Sequence, residues 1–274
     1  MKEIFLELFL TINGIGAASG IINYNNQLKI IADDSNFLYS YHLDNKHLQK
    51  TLLKNSGINE YIPKKDKPDF ESIVEINDTL YIFGSGSSIN RNQLIKYNPN
   101  NQSLERVDLS SIYKELKNKF HIAQPDFNIE GAVSIANDIL LFNRGNGPEQ
   151  KNGVFKLDSK TLYPSSFTPI ELPSIHGVPT GFTDAVYTGE KIYFIAAAED
   201  VASTYLDGEV KGSLLGCLNI ETLSLDFTKH LSNKHKFEGI TILKQEDSEI
   251  TFILCEDNDD DNKNANLYKL KLTL

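Results

Sequence analysis

The sequence predicts an all-β protein, a five-bladed β-propeller whose last blade is closed by the N-terminal strand. Three observations predict it. First, variants of Phe237-Glu238-Gly239-Ile240-Thr241 recur along the chain, at Ala18-Ser19-Gly20-Ile21-Ile22, Phe70-Glu71-Ser72-Ile73-Val74, Ile129-Glu130-Gly131-Ala132-Val133 and Thr183-Asp184-Ala185-Val186-Tyr187. Second, the intervals between Ser19, Glu71, Glu130, Asp184 and Glu238 are 52, 59, 54 and 54 residues, and passing through the C-terminus back to Ser19 gives 55. Third, each interval alternates apolar runs with Asn, Asp and Gly punctuation, the pattern of antiparallel strands. A strand-rich repeat that closes on itself is what a ring of sheets demands, because each sheet buries its faces on two neighbours.

The elements follow in order. Residues 3–11 form an apolar strand ahead of the first complete unit. The first unit runs through "GIINYNN", a turn at Asn25-Asn26, "QLKIIA", a polar loop from Asp33 to Asn36, and "FLYSYHLD". The second repeats the order as "ESIVEI", a turn at Asn77-Asp78, "TLYIFG", a Ser/Gly/Asn-rich loop through Arg91, "QLIKYN" and "SLERVDL". Units three and four repeat it again. The fifth, "EGITIL…EITFILC…NLYKLKL", is one strand short, and the N-terminal strand supplies the missing edge. Between units two and three, Ser110 to Phe120 reads as a short helix with Ser110 as its cap and Ile112, Leu116 and Phe120 on one face. With no linker-like break, residues 1–274 are read as a single domain.

Charge and composition narrow the function. Lys and Arg total 27 against 37 Asp and Glu, a net charge of −10, which repels a phosphate backbone and argues against nucleic acid as a partner. No apolar run reaches membrane-spanning length. Glu3 and Glu7 interrupt the leader-like start, so the cytoplasm is expected, with the periplasm as the alternative. Cys217 and Cys255 lie in apolar runs and read as buried free thiols. A monomer is expected.

In an antiparallel blade the start of the innermost strand and the end of the second strand share one face, so function is expected there. One polar residue per blade, Ser19, Glu71, Glu130, Asp184 and Glu238, points at the axis. Four converging carboxylates repel unless something neutralises them. A hard cation does so. Calcium takes about six to eight oxygen ligands in adaptable geometry, with magnesium or manganese as alternatives, whereas a column without His or Cys disfavours zinc or copper. The competing reading is that these residues hydrogen-bond the next blade.

The loops of the same face add Asp33, Asp34, Ser85, Arg91, Arg144, Glu199, Asp200 and Glu256, together with Thr204, Asp207 and Asp259. Arg91 and Arg144 offer forked donors, so an anionic ligand bound beside the cation is expected; pairing with nearby acids is the alternative. An arginine aimed at a ligand can be removed with little loss of stability. His235 precedes the last axial acid closely enough to act on the same ligand. No nucleophile elbow or phosphate loop is present.

The pattern "DFESIV…LYIFGSGSSINRNQL", "FNIEGAV…LLFNRGNG", "FTDAV…IYFIAAAEDVASTYLDGEV" and "KFEGIT…FILCEDNDDD" resembles an uncharacterised bacterial propeller family, a domain of unknown function, over essentially the whole chain. More distantly, the axial acids resemble those of the calcium-activated nucleotidases, or soluble apyrases, and of phytase-like esterase propellers. That resemblance implies calcium at Ser19, Glu71, Glu130, Asp184 and Glu238, phosphates approached by Arg91 and Arg144, and hydrolysis of a phosphoester or similar ester. A scaffold that binds protein or glycan around a structural cation is the alternative from another class.

Overall fold

The computed structural model describes residues 3–200, 208–257 and 263–274. Thr204, Asp207 and Asp259 lie outside the described residues. The chain begins with β1 (Ile4–Asn13). Blade one then comprises β2 (Ala18–Tyr24), β3 (Gln27–Ala32), β4 (Phe37–His42) and β5 (Leu48–Leu52). Blade two comprises β6 (Phe70–Ile76), β7 (Thr79–Gly84), β8 (Gln93–Asn98) and β9 (Ser103–Asp108). The helix α1 (Ser110–Phe120) leads to blade three, formed by β10 (Ile129–Ile135), β11 (Asp138–Asn143), β12 (Gly153–Asp158) and β13 (Pro164–Pro169). Blade four holds β14 (Thr180–Tyr187), β15 (Lys191–Asp200), β16 (Glu209–Asn219) and β17 (Leu225–Ser232). Blade five holds β18 (Phe237–Gln245), β19 (Glu249–Glu256) and β20 (Asn264–Thr273), with β1 as its outermost strand.

Five four-stranded antiparallel sheets thus form the ring, and the N-terminal strand closes the last, as the sequence predicts. The inner strands meet in the cyclic order β2, β6, β10, β14, β18 and back to β2. The punctuation residues make the inner hairpins: Asn25 and Asn26 have φ of 50° and 60°, and Asn77 and Asp78 repeat these values. Two successive left-handed residues are the turn whose twist matches paired strands.

The core is five apolar layers, one between each pair of neighbouring blades. Between blades three and four, Phe182 packs edge-on against Phe142 and Phe194, with ring centroids 5.2 and 4.9 Å away. The helix α1 wedges into the layer between blades two and three, burying Tyr113 and Leu116, with Ile112 and Phe120 partly buried beside them. Tyr113 also donates from its hydroxyl to the carbonyl of Gly84 at 2.7 Å. The cap differs from expectation. Leu109 occupies it, and Asp108 accepts the amide of Ser110 at 2.8 Å, so the acid before the helix does the work expected of Ser110. Cys217 and Cys255 are buried thiols that are not joined in a disulfide. Among the described residues no helix is long and apolar enough to cross a membrane.

A candidate axial cation site in a charged cleft

Every inner strand carries a bulge at the same place, and the bulge decides which side chains face the axis. The residues skipped in the pairing of inner and second strands are Ser19, Glu71, Glu130, Thr183 and Glu238. Blade four therefore differs from the sequence reading by one position. Its bulge residue is Thr183, while Asp184 pairs regularly with Ile195 and occupies the place that Gly20, Ser72, Gly131 and Gly239 fill elsewhere. Small residues belong there because adjacent inner strands touch. A Cβ on Gly131 would lie 3.1 Å from the Cα of Asp184, and one on Gly239 would lie 3.0 Å from the Cα of Gly20.

Asp184 consequently faces the neighbouring strand. Its carboxylate accepts the backbone amides of Ala185 and Ile240, both at 2.8 Å, stitching blade four to blade five. The hydroxyls of the ring do similar work. Thr183 donates to the carbonyl of Phe237 at 2.7 Å, and Ser19 donates to the equivalent carbonyl, that of Phe70. Hydrogen bonding to the next blade, the alternative weighed for the whole column, is thus what Ser19 and Asp184 do. Asp184→Ala is expected to cost about 1–3 kcal/mol by leaving two buried amides without an acceptor. Chemical denaturation checks this.

Glu71, Glu130 and Glu238 remain on the axis. All three are buried, and each offers an oxygen within 4.8 Å of the other two. Burial, with Glu238 nearby and Arg144 only partly offsetting it, pushes Glu130 up to about 8. Burial and then the charges of Glu130, Asp69 and Asp33 push Glu71 well above the usual carboxyl range. Burial also raises Glu238, against the pull of Lys236 and Arg144.

The residue two places before each bulge residue also lines the cleft on this face. Those positions are Asp69, Asn128 and Lys236 in the Glu blades, but Ala17 and Gly181 in the Ser and Thr blades. Asn128 donates to Glu130. Lys236 stands 3.0 Å from both Glu238 and Glu199 and 3.7 Å from Asp257. Asp69 accepts from Arg91 at 2.7 Å and lies 3.3 Å from Lys67. These partners escaped the sequence reading, although all three stand two residues before an axial Glu.

The two arginines have clear roles. Arg144 is buried, binds Glu199 directly, and lies 3.7 Å from Glu130 and 3.9 Å from Glu238. Burial would raise Glu199, yet Arg144 and Lys236 hold it at about 2. Arg91 donates to Asp69 and Ser87, both at 2.7 Å, and to the carbonyl of Lys64 at 3.1 Å. Ser85 is buried beneath Asp69 and donates to it. Both guanidinium forks are therefore engaged by acids of the same face.

A cleft of about 1050 Å³ opens over this floor, lined among others by Asp34, Glu71, Arg91, Glu130, Asp200 and Glu238. Burial and then the charge of Asp33 push Asp34 up to about 6. His235 and Glu256 sit apart from that lining. His235 pairs through Nδ1 with Glu256, which also accepts from the Tyr268 hydroxyl at 2.9 Å, and the imidazole stacks on Phe237. The two candidates are brought together, with Tyr268, as a polar knot packed on blade five.

Comparison with known proteins agrees with this architecture. Among solved structures, the luciferin-regenerating enzyme is similar in fold: 10% identity over 98% of this chain and 95% of that chain, with a TM-score of 0.52. A candidate exported protein of Bacteroides fragilis matches at 12% identity over 98% of this chain and 94% of that chain, with a TM-score of 0.46. No curated protein matches the chain. A likeness to the calcium-activated nucleotidases is not shown by these comparisons. The model of a family of unknown function, DUF6929, matches residues 14–272. The chain belongs to that family.

Proposed function

We propose that the protein binds a calcium ion on its axis through Glu71, Glu130 and Glu238. The observation that carries this reading is the trio itself: three buried carboxylates whose oxygens approach within 4.8 Å of one another on a cleft floor. The donor set fits the ion. Oxygens on opposite sides of a calcium at about 2.3–2.6 Å stand roughly 4.6–5.2 Å apart, and carboxylates are its preferred ligands. Magnesium, which demands a tighter octahedron, and manganese are the second choices. Bound there, the cation would act as a Lewis acid on an ester or phosphoester oxygen presented from the cleft. The chain's own residues would hold it: Asn128 orients Glu130, and Lys236 and Arg144 set how much negative charge the floor keeps.

A second reading is favoured by that same pair of bases. Arg144 and Lys236 already offset part of the axial charge, and an incoming anion would have to compete with Glu199 and Asp69 for the guanidinium forks. A propeller cemented by an axial cation, with its loops binding a protein or glycan, needs neither fork free.

Melting curves of metal-free protein test the cation. A ligand that binds only the folded state stabilises it by about 2.7 kcal/mol at a hundredfold excess over Kd. Calcium should give such a shift, and Glu71→Gln should abolish it. The shift should be larger at pH 8.5 than at pH 6, because Glu130, which titrates at about 8, must lose its proton to bind.

Without metal, the sign is the opposite. Glu130, Glu71 and Glu238 are all raised above 4.5, so the folded state keeps protons that the unfolded chain releases. The stabilisation held by the Glu130 proton is full below about pH 4.5 and is lost as pH rises toward 8, and Glu71 and Glu238 act in the same direction. No calcium shift at either pH sinks the cation. A shift without turnover of any phosphoester or ester leaves the scaffold reading.

A further inference from the structure

We propose that the axial pit has two cation positions that share Glu71, and that the ammonium of Lys67 is the resident cation of the second. This rests on the cation reading above.

The second position is a nest of Asp33, Asp69 and Glu71, whose oxygens also lie within 4.8 Å of one another. It meets the same oxygen spacing as the axial trio, with carboxylates again as the donors. Lys67 reaches into it, bonding Asp33 directly and lying 3.3 Å from Asp69, with only 15% of its side chain exposed. The loop pins it there, since the amide of Lys67 donates to the carbonyl of Pro63 at 3.1 Å and the amide of Asp69 to that of Asp33 at 3.0 Å. Although burial works against its charge, Asp33, Asp69 and Glu71 hold the ammonium far above its ordinary range.

Glu71 supplies an independent sign that the pit is built for a cation. It is 7% exposed and lines the cleft, yet its carboxylate makes no hydrogen bond or ion pair with any described residue. Its fellow acids have charged or amide partners: Glu130 has Asn128 and Arg144, Asp33 and Asp69 have Lys67, and Glu238 has the ammonium of Lys236 at 3.0 Å, although its Oε1 is buried without a hydrogen bond. A buried carboxyl left open between two nests either keeps its proton or meets a cation shared by both. An ammonium carries one positive charge where a divalent ion carries two. Lys67 therefore balances only part of its nest, pairing with Asp33 and Asp69, and Glu71 is shared with the axial ion.

The consequence is a stoichiometry. Calcium titrated calorimetrically at pH 8.5 into metal-free protein should bind one ion in the wild type and two in Lys67→Met. It should return to one in the double variant Asp33→Asn/Lys67→Met, which takes one of the three carboxylates from the nest as well. Lys67→Gln offers the same comparison if the Met variant does not fold. One ion in both Lys67 variants, folded by circular dichroism, overturns the second position while leaving the axial reading intact. No ion in the wild type but one in Lys67→Met supports the second position and sinks the axial one. No ion in either overturns both.

Discussion

Arg144→Met is expected to lower stability by about 3–5 kcal/mol at pH 8, the range for removing one partner from a buried ion-pair network. The guanidinium is the hub of the face. It binds Glu199, approaches Glu130 and Glu238, and its stem lies on Gly181, where a Cβ would come within 2.6 Å of the Arg144 Cγ. Met preserves much of that stem and removes the charge together with the hydrogen bond to Glu199. The pH dependence identifies the cause. Glu199 titrates at about 2 in the folded protein, below its ordinary 4.5, so its pairing stabilises the fold above about pH 4.5 and is lost as pH falls through 2. The penalty of Arg144→Met should therefore be large at pH 8 and shrink toward pH 3. Urea denaturation at both values measures it. A penalty below about 1 kcal/mol, or one equal at both pH values, would show that packing rather than charge is what Arg144 provides. The sequence alone led to the opposite expectation, a ligand-directed arginine that can be lost without destabilising the protein.

That reversal marks where sequence reading works and where it stops. The ring was legible because its determinants are local and repeated: left-handed Asn and Asp residues in the inner hairpins, alternation along each strand, and a closed spacing that left one edge for β1. Glu71, Glu130 and Glu238 were legible for the same reason. Asp184 was placed one residue out because Thr183-Asp184-Ala185 accommodates a polar-then-small pattern in two registers, and only the bulge chooses between them. Asp69, Asn128 and Lys236 were legible in principle, two residues before each axial Glu. The rest was not. Arg144 meets Glu199 from a different blade, Lys67 enters its nest from an irregular loop, and His235 finds Glu256 and Tyr268 on separate strands. No periodicity encodes such meetings, since they are fixed by how blades and loops stack. A carboxylate column therefore announced that the axis is charged without revealing how much of that charge the protein itself balances.

Removing residues 1–13 is expected to abolish cooperative unfolding altogether, the largest effect of any change considered. β1 pairs with β20 from Ile4↔Leu272 to Asn13↔Asn264, covering the edge of blade five. It also serves two apolar layers at once. Ile4 and Leu6 pack against the layer shared with blade four, while Phe9, Leu10 and the buried Ile12 pack into the layer shared with blade one. Its loss opens both layers beside blade five and bares a strand edge that pairs readily with other chains, so the truncated protein should aggregate. Loss of the strand must be separated from loss of length. The amide of Thr273 donates to the carbonyl of Glu3 at 3.0 Å, so the end of β20 lies beside the start of β1. A permuted chain that begins at Gly14 and carries residues 3–13 after Leu274 through a short turn would present the same strand to the same edge as an ordinary hairpin. It should recover a single cooperative melt near that of the parent. A truncated chain that melts like the parent would mean that the ring does not depend on its closing strand. A permuted chain that fails while the parent folds would mean that β1 acts through its connection to β2 rather than through its pairing with β20.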